Sequence, residues 1–356
     1  MAGIRSSERV EIAVFASFEQ AERSWRDLET RGSSFVFQSF DWCSTWFETI
    51  GRALQVEPLL AHVREPGSGA EMFLPLGVER KRFGVRCFAF LGSRLADHTA
   101  PVLVGRTGVF DREIVSDILR EVASAGRCDV SDFRHLRSAV DGQRNPLVGP
   151  GCTVAGYQTH SVRIEGSWES FWAEKITRSH SADSRRQRRR LAELGKPRFV
   201  IATTVEQALA ITDAMLAQKS RRYRETGRED PLTSEGYREF YLRTTRRHHG
   251  CGLIHVSALM LDDRVLATHW GAVWKGRLVS LMPSFEGGEW ARYSPGRLLL
   301  EHLLEWSFRA GLREFDLTIG DEPYKSAFCN VTDDLYRLIR PRSARGWAYY
   351  ARARLS

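Results

Sequence analysis

Hydrophobic and polar positions follow two periods along this chain, and the same succession of periods occurs in both halves. In the first half, helical spacing over 39–51 precedes two apolar strands, 56–64 and 71–81, on either side of a Pro-Gly-Ser-Gly turn. In the second half, helical spacing over 234–250 precedes three apolar strands joined by tight turns. These strands are predicted within 252–263, 264–276 and 277–288.

The two halves also end alike. Segments 111–133 and 294–319 each read as a helix, an Ala-Gly stop and an Asp-bearing strand. This pattern predicts a duplicated α/β (α+β) architecture, in which each domain has a mixed, mostly antiparallel central sheet flanked by helices. The Gly- and Pro-rich stretch 141–158 is the expected boundary. We therefore predict domains 1–150 and 151–356, the second carrying an arginine-rich helical insertion at about 167–229.

Length and composition exclude several classes of protein. The 356 residues exceed one ordinary core and indicate two domains. No apolar run approaches the roughly 20 residues that span a bilayer, and the N-terminus lacks a signal-peptide pattern. The six cysteines lie far apart with no CxxC pair, which favours reduced thiols and disfavours a metal centre. The sequence thus predicts a cytoplasmic protein with no membrane span and no metal.

The formal net charge of +8 is concentrated in the arginine-rich segment 184–198. On a helix, arginines Arg185 to Arg190 cannot share one face, so a solvated basic helix is one interpretation. Binding of an anion such as a phosphorylated carrier, a nucleotide or an acyl carrier is a second, and binding of tRNA is a third. The segment lacks the interleaved aromatics of single-strand binders, which makes nucleic acid the less favoured partner.

A Ser-Pro-Gly turn opens the Leu-rich helix near residue 295. Pro295 suits the first helical position, with Ser294 as the cap. Gly296 leaves space for a ligand to approach the backbone. Free amides at a helix start attract anions, and Arg292 and Arg297 flank this turn. The turn is therefore a candidate pyrophosphate site, although a proline-started core helix without a ligand has the same pattern.

The strand after this helix ends in a charged corner. Asp316 lies within the strand, and Asp321, Glu322, Tyr324 and Lys325 follow it. An acid, a phenol and an amine close to a phosphate cradle form a candidate site. A surface turn is the alternative interpretation.

These motifs together resemble the GNAT-like acyltransferases of the CelD type, which are associated with bacterial polysaccharide genes and are distant relatives of the FemAB ligases. The resemblance covers nearly the whole chain, including the Phe- and Trp-containing helix that starts at Phe40 and the segment DHTAPVLV of the first half. The positions that match the family pattern are Ser294, Pro295, Gly296, Gly311, Phe315, Asp316, Gly320, Glu322, Tyr324 and Lys325.

The resemblance implies two tandem GNAT-like domains, with acetyl-CoA or another acyl-CoA as co-substrate in the second. The pyrophosphate of CoA is then expected on residues 292–297, and the acyl carbonyl where the central strands diverge. The implied acceptor is an amine or hydroxyl of a sugar, a nucleotide-sugar or a similar polar and even anionic metabolite. A role in polysaccharide biosynthesis is the expected context.

Several side chains are candidates for the acid–base chemistry of acyl transfer. His269 titrates near neutral pH, and Glu286 ends the third strand. Asp316 and Tyr324 are further candidates, with Tyr324 as the acid for the leaving thiolate. Lys325 is expected to orient an anion or the acceptor, since an ordinary lysine is protonated at pH 7. A hydrogen-bonded core histidine and an exposed hairpin acid are the alternatives for the first two.

Two other functions use the same double fold. An aminoacyl-tRNA-dependent ligase of the FemAB type would bind tRNA through the arginine-rich segment, but segment 167–229 is short for the helical hairpin of those enzymes. The other possible function is that of a non-catalytic binding module whose CoA site has decayed. The intact Ser-Pro-Gly turn and Tyr-Lys corner argue against decay.

Overall fold

A computed structural model describes residues 3–6 and 9–353, and the chain forms two compact units. The first unit combines Met1–Gln158 with Asp333–Ser356, and the second unit is Thr159–Thr332. The predicted division into 1–150 and 151–356 differs from this one chiefly because the last residues of the chain belong to the first unit.

The helices and strands of the first half run as follows in chain order. They are β1 (Gly3–Ser6), β2 (Glu11–Phe15), α1 (Phe18–Arg31), α2 (Phe40–Trp46), β3 (Glu57–Glu65), β4 (Ala70–Arg80), β5 (Arg86–Phe90), β6 (Val102–Val104), α3 (Arg112–Ala125), β7 (Val130–Arg137), β8 (Ala139–Val140), β9 (Gln143–Arg144) and β10 (Cys152–Arg163).

The second half continues the order with eleven helices and strands after two extra helices at its start. They are α4 (Trp168–Lys175), α5 (Arg178–Ala192), β11 (Pro197–Ile201), α6 (Val205–Glu225), α7 (Tyr237–His248), β12 (Ile254–Leu261), β13 (Arg264–Trp274), β14 (Arg277–Phe285), α8 (Pro295–Arg309), β15 (Glu314–Ile319), α9 (Pro323–Phe328), β16 (Val331–Pro341) and α10 (Ala344–Ala353).

The two units have sheets of the same topology. The strands of the first unit run in the order β1-β2-β3-β4-β5-β7-β16, with β6 on β4, and those of the second unit run in the order β10-β15-β14-β13-β12-β11. Each contains one parallel pair, β5 with β7 and β14 with β15. Apart from the short strand β6 before α3, the order β2-α1-α2-β3-β4-β5-α3-β7 in the first half recurs as β11-α6-α7-β12-β13-β14-α8-β15. The predicted α/β fold with two similar, mostly antiparallel mixed sheets is confirmed.

Each sheet also contains a strand from the other half of the sequence. In the first unit β16 pairs with β7, and in the second unit β10 pairs with β15, both antiparallel. The boundaries between units therefore fall inside β10 and β16. A boundary placed at a Gly- and Pro-rich stretch cannot anticipate this exchange, because the pairing is long-range.

The predicted insertion at 167–229 is narrower in the structure. Strand β11 and helix α6 occupy the positions that β2 and α1 have in the first unit, so only α4 and α5 lie outside the repeated order. None of the helices in the described part of the chain is long and apolar enough to cross a bilayer.

Local sequence explains where several elements begin and end. The Ser39 hydroxyl accepts a hydrogen bond from the amide of Trp42 at 3.3 Å, so Ser39 caps α2, whereas Asp41 binds Arg26. The two turns of the β12–β13–β14 meander place Asp262 and Lys275 at φ values of 50° and 47°. The helix and strands predicted for 234–288 are confirmed, with their ends shifted by a few residues.

A buried carboxylate joins β16 and α10 to β7 in the first unit. Asp132 on β7 is 4% exposed. It accepts two hydrogen bonds from Arg337, one from the Tyr349 hydroxyl and others from Arg134. Burial by itself raises the pKa of Asp132, but the hydrogen bonds from Arg337 and Arg134 outweigh it and lower this pKa to about 2.

We expect Asp132→Asn to lower the free energy of unfolding by about 2 kcal/mol at pH 7, because the charged partners lose their carboxylate. The folded-state pKa of Asp132 lies below its ordinary 3.8, so the carboxylate stabilises the fold above that pH. The difference between wild type and variant should shrink as the pH falls from about 4 towards 2. Urea unfolding across this range measures it, and a difference that does not depend on pH would contradict the assignment.

Candidate functional site

The second sheet opens between its two parallel strands. Arg277, Leu278 and Val279 of β14 pair with the start of β15, but β14 continues to Phe285 without this partner. A register shift between β13 and β14 occurs at Trp270 and Gly271, close to the point of divergence. The gap gives side chains and backbone on both strands access to a cavity.

A cavity of about 970 Å³ lies at this gap. Its wall combines polar groups from α5, α6, β13, β14 and the start of α8 with apolar side chains from α8, β15 and α9. The lining residues are His180, Lys219, Arg222, Thr268, His269, Ser280, Pro283, Ser284, Phe285, Ala291, Ser294, Pro295, Gly296, Arg297, Leu299, Leu300, Leu303, Leu317, Glu322, Pro323, Tyr324, Ala327 and Phe328.

The predicted Ser-Pro-Gly turn borders the cavity. Pro295 is the first residue of α8 as predicted, but Ser294 makes no capping hydrogen bond through its side chain. Ser294 thus occupies the cap position as predicted, but its φ and ψ of 52° and 47° give it a left-handed backbone. The amide of Leu298 donates to the Ser294 carbonyl. The amides of Gly296 and Arg297 precede the helical ladder and remain available to a ligand.

Gly296 lies close to the ring of Phe285. A Cβ built at Gly296 would lie 2.9 Å from Cδ1 of Phe285, whose residue is 39% exposed. The glycine therefore keeps the entrance of the cavity narrow but open, and any larger side chain would compete with Phe285 for this space.

The two arginines predicted to flank the turn have different environments. Arg297 lines the cavity, and its guanidinium donates to Asp183 of α5 at 2.5 Å. Arg292 is exposed and lies over the ring of Tyr293, with its Cζ 5.0 Å from the ring centroid. Arg297 therefore belongs to the wall of the cavity, whereas Arg292 is not among the residues that line it.

Buried Glu301 holds the arginine-rich helix α5 against α8. Its residue is fully buried and accepts hydrogen bonds from Ser184 at 2.6 Å, from His180 at 3.1 Å and from Arg188 at 2.7 Å. Part of the arginine cluster is thus structural. The pairing brings His180 to the wall of the cavity and leaves Arg185 and Arg189 exposed.

His269 of β13 lies at the inner end of the cavity and is fully buried. Neither ring nitrogen has a hydrogen-bond partner among the described residues. Burial, followed by the proximity of His255, holds the pKa of His269 well below its usual value. His269 is therefore a neutral imidazole at physiological pH, with a nitrogen free to accept a proton from a ligand.

The other two carboxylate candidates lie outside the cavity wall. Glu286 accepts a hydrogen bond from Arg221 at 2.6 Å and another from Gln218. Asp316 is buried within β15, where its side chain accepts from the amide of Thr318 at 2.8 Å. Neither Glu286 nor Asp316 lines the cavity.

The charged corner after β15 divides into two parts. Tyr324 is 42% exposed and lines the cavity with Glu322, and burial raises the pKa of Tyr324 to about 12. Lys325 is not among the lining residues and is 3% exposed. Its Nζ donates to the carbonyl of Ile319 at 2.7 Å and pairs with Glu322 at 2.9 Å. Lys325 therefore ties α9 to the end of β15.

Sequence reasoning missed two cations on α6 that line the cavity. Lys219 is half-buried, and its side chain makes no hydrogen bond or ion pair with any residue in the described part of the chain. Burial lowers the pKa of Lys219, and the charge of Glu322 opposes that shift. Arg222 lies one turn further along α6. The spacing of three residues between the two cations was the available signal, but only packing shows that α6 faces the cavity.

The fold of the second unit is similar to that of GNAT domains. Residues 178–326 match the model of a family described as an acetyltransferase (GNAT) domain. The matched segment contains the cavity wall described above except for Ala327 and Phe328, and it lies within the second unit. No curated protein is similar enough in sequence to match the chain.

Solved structures share the fold over nearly the whole chain. FemX has a TM-score of 0.60 at 8% identity, covering 92% of this chain and 97% of its own. The C-terminal domain of a putative lysylphosphatidylglycerol synthetase from Agrobacterium fabrum has a TM-score of 0.54 at 13% identity, covering 94% and 96%. L-PGS from Bacillus licheniformis has a TM-score of 0.53 at 9% identity, covering 91% and 93%. At these identities the likeness concerns the fold.

Proposed function

We propose that this protein is an acyl-CoA-dependent acyltransferase whose reaction takes place in the cavity of the second unit. The acceptor is an amine or hydroxyl of a sugar, a nucleotide-sugar or a similar polar metabolite. The observation that carries the proposal is the position of one cavity between the diverging strands β14 and β15, the open start of α8 and the unpaired imidazole of His269.

Each part of the cavity has a role in this reaction. The amides at Gly296 and Arg297 and the positive end of α8 suit the pyrophosphate of CoA. Lys219 and Arg222 add charge for a phosphate or for an anionic acceptor. The apolar side chains that line the cavity, among them Leu299 and Leu303, suit the acyl group.

The chemistry then needs one base and one acid. His269 takes the proton of the acceptor as that acceptor attacks the thioester carbon. Tyr324, a neutral phenol at pH 7 whose pKa is raised to about 12, gives a proton to the leaving thiolate of CoA and afterwards regains one from water. Oxygen or nitrogen becomes bonded to the acyl carbon, the carbon–sulfur bond breaks, and free CoA leaves.

A thermal-shift screen followed by a thiol-release assay tests the proposal. We expect acetyl-CoA or a longer acyl-CoA to raise the melting temperature, and an acceptor such as a nucleotide-sugar to trigger release of free thiol. Stabilisation by acyl-CoA without release for any acceptor would favour a binding module. Absence of any acyl-CoA binding by the folded protein would overturn the proposal.

Aminoacyl transfer from tRNA is a second candidate function, favoured by the fold shared with FemX and by the exposed arginines of α5. These arginines could hold an RNA backbone, in which case binding would weaken steeply with salt. Retention of tRNA that falls as salt rises, together with no response to acyl-CoA, would select this function over the first.

We expect Lys325→Ala to lower turnover about tenfold and to change CoA affinity less. The lysine anchors α9, so its loss displaces Tyr324 and Glu322 while leaving the start of α8 intact. Steady-state kinetics and a CoA titration of the same preparation measure the two effects. Ser326→Ala, on the exposed side of α9, is the matched control. Equal turnover in the Lys325 variant and wild type would make the lysine irrelevant to the reaction.

A further inference from the structure

Two histidines lie side by side in the second sheet, between two separate cavities. His255 of β12 is 6% exposed and His269 of β13 is fully buried. Their ring centroids are 5.5 Å apart with the rings edge to face. The strand register pairs His255 with Gly271, two residues from His269, so both rings lie on the face of the sheet that meets α8.

Neither ring is satisfied by the protein. All four ring nitrogens of His255 and His269 are buried and without a hydrogen-bond partner among the described residues. A buried polar atom without a hydrogen-bond partner is unfavourable, so natural structures rarely keep one without a use. Four such atoms on two neighbouring rings indicate that these imidazoles bind a substrate atom, water or each other.

Gly271 keeps the passage between the rings free of side chains. A Cβ at this position would lie 2.8 Å from Cε1 of His269 and 2.3 Å from the carbonyl oxygen of Val279. The ring of His269 therefore packs against the backbone of Gly271, which is the residue paired with His255 on the neighbouring strand. A direct contact or one bridging water can connect the two imidazoles at this separation.

The histidines open to different cavities. His269 lines the cavity of about 970 Å³ at the start of α8. His255 lines a second cavity of about 450 Å³, which also contains His249 and is covered by Trp306. The ring centroids of Trp306 and His255 are 4.5 Å apart. One ring of the pair therefore lines the reaction cavity, and the other lines the second cavity.

We propose that His269 and His255 form a proton relay that carries the acceptor's proton from the reaction cavity to water at the second cavity. The inference rests on the proposed function, because it assigns His269 the role of base. His269 contacts the reacting atoms and is the catalytic residue, and His255 acts through it.

The protons balance along the relay. The acceptor gives its proton to the cavity-side nitrogen of His269 as the bond to the acyl carbon forms. The opposite nitrogen of His269 gives up its own proton, directly or through one water, to His255. The far nitrogen of His255 releases a proton to water in the second cavity. After the product leaves, exchange with water restores both starting tautomers, and no oxidant or further reactant is needed.

The electrostatics explain why a relay is needed. Burial, followed by the charge of His249, lowers the pKa of His255 to about 4, and the pKa of His269 lies well below its usual value. A protonated imidazole is therefore unfavourable at either position, and a proton taken up by His269 must move on. A substrate in the first cavity excludes water there, so the outlet lies on the side of His255.

Replacing His255 tests the relay. We expect His255→Phe and His255→Asn to lower kcat at least tenfold with unchanged CoA affinity, because neither side chain relays protons. The control is His302→Phe, since His302 of α8 stacks on Phe199 and does not line the first cavity. Wild type should show a curved dependence of rate on deuterium fraction, and the variants a linear one. In His255→Ala, added imidazole should restore turnover through the second cavity.

Each result of these experiments either supports or contradicts the relay. Full activity of His255→Asn would make His255 a mere hydrogen-bonding group and overturn the relay, as would an unchanged isotope dependence in the phenylalanine variant. If wild type turns over no acyl-CoA, the proposed function fails, and NMR of the histidine rings tests the relay alone. Deuterium exchange at the His269 ring nitrogens should then be slower in His255→Phe than in wild type and His302→Phe. Equal exchange rates would overturn the relay.

Discussion

Gly296→Trp is expected to weaken CoA binding about 100-fold or more, which corresponds to about 2.7 kcal/mol, while the protein stays folded. The indole would occupy the entrance that Gly296 shares with Phe285, where even a Cβ lies 2.9 Å from the ring. It would also cover the free amides at positions 296 and 297, which are the proposed ligands of the pyrophosphate.

Isothermal titration of CoA into both proteins measures this effect, and the melting temperature reports the fold. Gly156→Trp is the matched control, because Gly156 is exposed on β10 and a Cβ there meets no atom within 4 Å. Unchanged affinity in the Gly296 variant would remove the pyrophosphate from the start of α8. Equal loss in both variants would point to a general effect of the added tryptophan.

His269→Phe is expected to lower turnover by roughly 100-fold or more, within the range that a positioned general base contributes. Phenylalanine fills the same buried space but has no nitrogen to accept the acceptor's proton. CoA affinity should stay close to that of wild type, since the substitution leaves the amides at the start of α8 unchanged. His302→Phe repeats the substitution outside this cavity and should leave turnover unchanged.

The pH dependence of the same reaction gives an independent test. A base acts only when unprotonated, and the pKa of His269 lies well below 6.5. Turnover in wild type should therefore show no decline as the pH falls through 6.5, and should drop only at distinctly lower pH. An acid limb centred near 6.5 would assign the proton transfer to a histidine in contact with solvent. Full turnover of His269→Phe would exclude this residue as the base.

The repeated order of helices and strands could be predicted because it depends on local patterns. The turns at 262–263 and 275–276, the glycine stops and the two hydrophobic periods each act over a few residues. The Ser-Pro-Gly motif likewise located the start of α8 within one residue. The resemblance built on this motif agreed with the match of residues 178–326 to a GNAT domain.

The candidate site was predicted only in part, since its composition depends on which faces meet. Glu286 lies one residue beyond β14, as a candidate base at the strand end would. Its carboxylate accepts a hydrogen bond from Arg221 instead, and it does not line the cavity. Lys325 is adjacent to Tyr324, but helical geometry on α9 turns one side chain to the cavity and the other to β15. Lys219 escaped prediction because nothing local shows which face of α6 is buried. The catalytic roles of these side chains remain predictions for the experiments above.

The sequence by itself determined the elements of this protein, their duplicated order and the residues that open α8, because hydrophobic periodicity, proline and glycine act on neighbouring residues. Only the tertiary structure decided the exchange of β10 and β16, the pairing of Arg297 with Asp183, and the meeting of His255 with His269 over Gly271. Those contacts join residues distant in sequence, and their free energy depends on packing and burial that no local pattern records.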